Sequence, residues 1–145
     1  MIENLENYII VLRRNNSVSI QKEDIEQYLF EVKEAVRNDR YRIDRNKKRM
    51  DNVQLFTDYV INEDKAKDIV LGLNVMDFSG ILQNEHAGYE HEQLYVFGKE
   101  VRLLERYGTK IKNVCLYIKF NKLKNRFVII ISFHEQKYPL TYYFR

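Results

Sequence analysis

His134, Lys119 and Tyr117 are the residues whose types and spacing are best suited to chemistry. An imidazole titrates near neutrality, an ammonium stabilises phosphate charge, and a phenol orients, stacks or donates a proton. The three residues belong to two apolar segments. In the first, Val114, Leu116, Ile118 and Phe120 alternate with Cys115, Tyr117 and Lys119. Side chains of a strand alternate faces, so one face is core and the other carries the phenol and the amine. In the second, Phe127, Ile129, Ile131 and Phe133 predict the core face, with Ser132 and His134 opposite. A hairpin that keeps both apolar faces together puts Tyr117, Lys119 and His134 on one side of a sheet. Such a set suits cleavage of RNA without a metal. That reaction needs a base for the 2′-hydroxyl, cations for the phosphorane and an acid for the leaving 5′-oxygen. His134 is the candidate acid or base. Lys119 and Lys99 are the candidate phosphate holders, and Tyr117 the orienting group. Each also has a plainer reading. A strand-end histidine is often a surface residue, an outward lysine is usually solvated, and most of the 11 tyrosines must pack.

The elements around these strands follow from periodicity. Ile2, Leu5, Ile9 and Leu12 recur at helical spacing, so residues 2–13 read as an amphipathic helix. Ile25, Tyr28, Leu29, Val32, Ala35 and Val36 predict a second helix, with Glu23 and Asp24 in its first turn. Tyr41–Ile43 is a short strand candidate, and Met50, Val53, Phe56 and Val60 mark a third helix. Asn62 reads as the cap of a fourth, whose stripe is Ala66, Ile69, Val70 and Leu73. Residues 79–92, polar and with two glycines, read as a loop. Strands are expected at 93–103, 111–121 and 126–134, with an edge at 141–144. Helices first and a meander after predict one α+β domain over residues 1–145, with an N-terminal helical extension at 1–20. Residues 22–73 are mainly helical and 93–144 form an antiparallel sheet. The helices pack on one face and the other face stays partly open.

One domain of 145 residues buries a sizeable core. The single cysteine, Cys115, excludes an intrachain disulfide, reads as a small packed residue and suits a reducing compartment. The longest apolar run, Phe127 to Phe133, is too short for a bilayer, and no signal sequence is evident, so a cytoplasmic location is expected. Charge is uneven. Residues 95–145 hold 11 Lys/Arg against 3 Asp/Glu, and the other residues 13 against 18, which suits the C-terminal half to a polyanion. A second basic cluster runs from Arg37 to Arg49 and includes Arg42, Arg45, Lys47 and Lys48. His86 and His91 lie among glutamates, but no second ligand pair accompanies them, so no metal site is expected. No cofactor-binding fingerprint is present, and no cofactor is expected.

Five segments in order carry a resemblance: Ile69–Leu73, Asp77-Phe78, Tyr95–Lys99, Leu116–Phe120 and Ile131–His134. Together they resemble the MqsR family of mRNA interferases, toxins of bacterial type II toxin–antitoxin pairs within the RelE-like fold class. The likeness spans residues 24–144. It implies a metal-independent endoribonuclease that cleaves mRNA, ribosome-bound or free, and is silenced by a cognate antitoxin. It also implies a curved antiparallel sheet with helices packed behind it. The family's strand tyrosine falls on Tyr117, its lysine two positions on falls on Lys119, and the basic residue after Ser-Phe falls on His134. Gly80 stands where one branch has a lysine, with Lys99 as the candidate substitute, and Gln93 is the counterpart of a family glutamine. RNA contacts are accordingly expected from Gln93, Tyr95 and Arg102 and from the Arg42–Lys48 cluster. Two rivals remain open: a non-catalytic RNA- or partner-binding module that kept the fold, and a structural interaction protein docking through residues 2–13.

Overall fold

A computed structural model describes residues 19–46 and 48–145. The expected helix at 2–13 lies outside the described residues, as does Lys47. Helix α1, Lys22–Arg37, buries Ile25, Tyr28, Leu29, Val32, Ala35 and Val36 along one stripe. It closes at Asp39, whose φ of 57° is the left-handed conformation that ends helices. Strand β1 follows at Tyr41–Ile43. Helix α2 is Met50–Asp58, and helix α3 is Glu63–Leu71. The Asn62 side chain caps α3 by accepting from the Lys65 N–H at 2.9 Å, the role its position predicts. A 3-10 turn at Val75–Asp77 is closed by a reciprocal capping box between Asn74 and Asp77. Strands β2 (Phe78–Gln83), β3 (Gln93–Leu104), β4 (Ile111–Lys122) and β5 (Val128–Glu135) complete the described elements.

The sheet is five-stranded, in the order β1-β5-β4-β3-β2. It is mixed rather than wholly antiparallel. β1 runs parallel to β5, pairing Tyr41 with Val128 and Ile43 with Ile130. The loop expected at 79–92 also needs correction, because Phe78–Gln83 is a strand on β3. Its Ser-Gly opening carries little strand propensity. Pairing with the long β3 overrides that, and Ser79 is absorbed as a bulge between Phe78 and Gly80. Residues 141–144 form no strand; the tail is held instead by the Tyr143 N–H on the Phe78 carbonyl at 3.0 Å.

The main core lies between the helices and one sheet face. Phe78, Phe97, Leu116, Ile118, Phe120, Val128, Ile130 and Phe133 meet Leu29, Val32, Leu55 and Val70 there. This corrects the expected facing of β5. Val128 and Ile130 point into this core, whereas Ile129 and Ile131 belong to a cluster on the opposite face. The cause is a β-bulge. Lys119 pairs with Ser132, but the next residue, Phe120, pairs with Ile130, so Ile131 is an extra residue. Strand alternation changes phase there, and only beyond the bulge do Phe133 and His134 take the faces that simple alternation predicts.

Asn52 holds this bulge. It is fully buried. Its Nδ2 donates to the carbonyls of Ile131 at 2.9 Å and Asp44 at 2.6 Å, and its Oδ1 accepts from the Phe133 N–H at 2.7 Å. β1 ends at Ile43, so one side chain of α2 continues the ladder along the buried edge of β5 beyond it. The helix turns its Asn52–Leu55 side inward. Met50, predicted for the buried stripe, is exposed. Asn52→Ala leaves the Ile131 carbonyl and Phe133 N–H buried without their partner, so equilibrium urea unfolding should show a loss of about 2–4 kcal/mol.

Candidate functional site

The second sheet face is partly covered and partly open, with Glu100, Arg102 and Cys115 exposed on it. Leu82, Leu94, Val96 and Ile131 form a buried cluster there, with Tyr117, Ile129 and Leu140 packed against it. Part of its cover is the segment after β5. Gln136 donates its N–H to the Cys115 carbonyl at 2.7 Å and its side-chain amide to the Leu116 carbonyl at 3.0 Å. The chain then crosses Gly98, the cross-strand partner of Tyr117. A Cβ at Gly98 would lie 2.8 Å from Leu140 Cδ1 and in collision with the Tyr142 hydroxyl. Glycine is therefore required by close approach rather than by backbone angle. The tail ends against β2 and the 3-10 turn, where Arg145 donates to the Met76 carbonyl at 2.9 Å and pairs with Asp77 at 3.4 Å. Gly98→Ala should displace this tail at a cost of about 1–3 kcal/mol, seen as faster proteolysis after Gln136 than in the parent.

The candidate site lies on this face. Tyr117 and His134 are direct cross-strand partners on β4 and β5. Their rings stack with centroids 5.3 Å apart and planes 11° from parallel. His134 Nδ1 lies 2.8 Å from the Glu135 carbonyl. A carbonyl only accepts, so Nδ1 carries the proton, and Nε2 presents a lone pair when the ring is neutral. Burial pushes the His134 pKa below its ordinary value, opposed by the Glu135 carbonyl and by the Asp51 carboxylate. The imidazole is thus held in its basic form at neutral pH. Asp51 is itself paired with Lys137 at 2.8 Å, and that pair lowers its pKa.

Lys119 shares the face, two residues from Tyr117 and opposite Ser132. Sequence patterning predicts a solvated amine, but Lys119 is only 1% exposed. Loss of hydration pushes its pKa down to about 7. The unfolded chain keeps this amine protonated up to the ordinary lysine range, near 10.5. Between about pH 7 and 10.5 the unfolded state therefore binds more protons than the native state, and stability rises with pH. Urea denaturation across this window should show that rise in the parent, and Lys119→Met should flatten it.

The other predicted residues are placed differently. Lys99 is on the helix side of the sheet, not with Tyr117. Its amine pairs with the buried Asp77 carboxylate at 3.2 Å. β3 alternation turns Phe97 and Lys99 one way and Val96 and Gly98 the other. Tyr95 is also on the helix side, stacked on Tyr28 at 3.7 Å between ring centroids. Gln93 is exposed at the start of β3, and Arg102 is exposed near its end. Arg42 is exposed opposite Ile129. Arg45 is engaged, paired with Glu63 at 2.7 Å and lying over the Phe56 ring. Lys48 is exposed. Cys115, expected to pack, is exposed. A groove of about 770 Å³, lined by Val60, Asp64, Asp68, Arg102, Leu104 and Ile111 among others, lies toward the β3–β4 turn, and neither Tyr117 nor His134 lines it. Among the described residues no group of His, Cys, Asp or Glu is arranged to hold a metal ion, and no helix is long and apolar enough to cross a membrane.

Sequence reasoning missed Asp51, Asn52 and Gln136, which surround or orient this pair. An asparagine interrupting the helical run from Met50 to Phe56 is the one available signal, and its partners are far away in sequence. Comparison with known proteins finds no matching family model, no matching curated protein and no matching solved structure.

Proposed function

We propose that this α+β chain is a RelE-like endoribonuclease, the toxin of a type II toxin–antitoxin pair acting on mRNA in the cytoplasm. The observation that carries the reading is the Tyr117–His134 pair, stacked on adjacent strands with a basic imidazole nitrogen free of the Glu135 contact. In this reading His134 Nε2 takes the proton of a ribose 2′-hydroxyl. The 2′-oxygen attacks the adjacent phosphorus, the bond to the 5′-oxygen breaks, and a 2′,3′-cyclic phosphate forms. The departing 5′-oxygen gains a proton, for which the Tyr117 phenol is the neighbouring donor. Lys119 supplies charge to the phosphorane once its surroundings open. Arg42 and Lys48, both exposed, track the RNA backbone. The ordered motifs shared with the MqsR family support the same reading, as does the basic C-terminal half. A cognate antitoxin would cover this face.

A non-catalytic RNA- or protein-binding module is the second reading. It is favoured by Lys119, which is buried, and Lys99, which is committed to Asp77 on the other face.

Incubation of purified protein with mixed-sequence RNA in EDTA separates the two. The toxin reading expects cleavage that falls about 10²- to 10⁴-fold in His134→Ala, with the circular-dichroism melt retained and growth arrest lost on expression. Because the His134 pKa lies below 6.5, the acid limb of the pH–rate profile should also fall below pH 6.5. Wild-type growth arrest that survives in His134→Ala would sink the assignment. RNA left intact both alone and on translating ribosomes would favour the binding module.

A further inference from the structure

β3 outruns its partner. β2 pairs with it only from Gln93 to Phe97, while β3 continues to Leu104. At its far end the Val60 N–H donates to the Leu104 carbonyl at 2.8 Å, next to an isolated bridge between Tyr59 and Glu105. That bond fixes the direction of the backbone. The Leu104 carbonyl points away from β4, so alternation turns the N–H and C=O groups of Arg102 and Glu100 the same way. Among the described residues no backbone hydrogen bond reaches these groups from that side. Residues 99–103 are therefore a strand edge that no described residue pairs, bounded by the tail over Gly98 at one end and by Val60 at the other. Natural edges of this kind are blunted by charged side chains, proline or a bulge. This one carries no proline and no bulge, and its two exposed charges, Glu100 and Arg102, are of opposite sign on one face.

We infer that this edge is a homodimer interface, in which two copies pair their β3 strands antiparallel about a two-fold axis at Val101. The occupant is identified by self-complementarity. In that register Glu100 of each copy lies opposite Arg102 of the other, and both positions have their backbone groups directed across the interface. Each pair exchanges two main-chain hydrogen bonds and sets an acid against a base. A two-fold interface requires the same patch to complement itself, and this sequence does so about one residue. A groove lined by Arg102 and Leu104 and by Asp64, Lys65 and Asp68 of α3 lies along this edge. The result is a continuous sheet of two copies that does not use the Tyr117–His134 pair, so the inference stands apart from the proposed activity.

Sedimentation velocity and light scattering over a wide concentration range test it. A reversible dimer is expected. Glu100→Arg and Arg102→Glu should each weaken it at least about tenfold, since either creates two like-charge contacts per dimer. The double variant Glu100→Arg/Arg102→Glu restores opposite charges across the two-fold and should regain the parent affinity. Both side chains are exposed, and an unchanged thermal melt checks that each variant folds. Amide exchange at Glu100 and Arg102 should slow only at concentrations that favour the dimer. A monomer at every concentration, a dimer indifferent to the single reversals, or a double variant no better than the singles would each overturn the inference.

Discussion

The architecture depends on three hydrogen bonds made by one amide. β1 pairs with β5 for three residues and then leaves. Beyond that point β5 would expose backbone groups to an apolar interior, where an unpaired N–H or C=O is costly. Asn52 fills the gap from α2, donating to Ile131 and Asp44 and accepting from Phe133. A side-chain amide imitates a strand here because it offers donor and acceptor at the spacing a peptide does. The bulge it accommodates rotates the end of β5 by one position. Phe133 then faces Ile118 in the core, and His134 faces Tyr117 on the other side.

The sheet is consequently apolar on both faces, and this decides the electrostatics of the candidate site. On the helix side, Asp77 tolerates burial because Lys99 and Arg145 flank it and the Asn74 N–H bonds it. On the other side, Lys119 and His134 lie beside the cluster of Leu82, Leu94, Val96 and Ile131. Desolvation is the leading cause of both lowered pKa values there. Both groups are displaced toward their neutral forms, the state required of a base. The same packing keeps the lysine from solvent. Pre-organisation and access are therefore in tension on this face, and the tail anchored on Gly98, Phe78 and Asp77 is part of what sets the balance.

Much of the framework was legible because it is local. The stripe of α1, the Asn62 cap and the alternation of β4 each depend on residues a few positions apart. The shared face of Tyr117, Lys119 and His134 was legible too, although the β5 alternation used to infer it holds only past the bulge. What failed was non-local. Phe78–Gln83 becomes a strand only because β3 is there to pair with it. The parallel placement of β1 leaves no periodic trace in three residues. Lys99 and Tyr95 fall on the helix side by strand parity, yet a motif read as a string assigns no face.

The amino-acid sequence by itself determined the α+β class, the helix faces, the long C-terminal strands and the convergence of a phenol, an amine and an imidazole. Those properties follow from periodicity, which each segment carries alone. Only the tertiary structure decided the bulge at Ile131, the burial of the Lys119 amine and the commitment of Lys99 to Asp77. It also decided that no described residue pairs the β3 edge at Glu100 and Arg102. Each of these arises where segments distant in the chain meet, and hydrogen-bond satisfaction and dehydration there depend on what the neighbouring segment supplies.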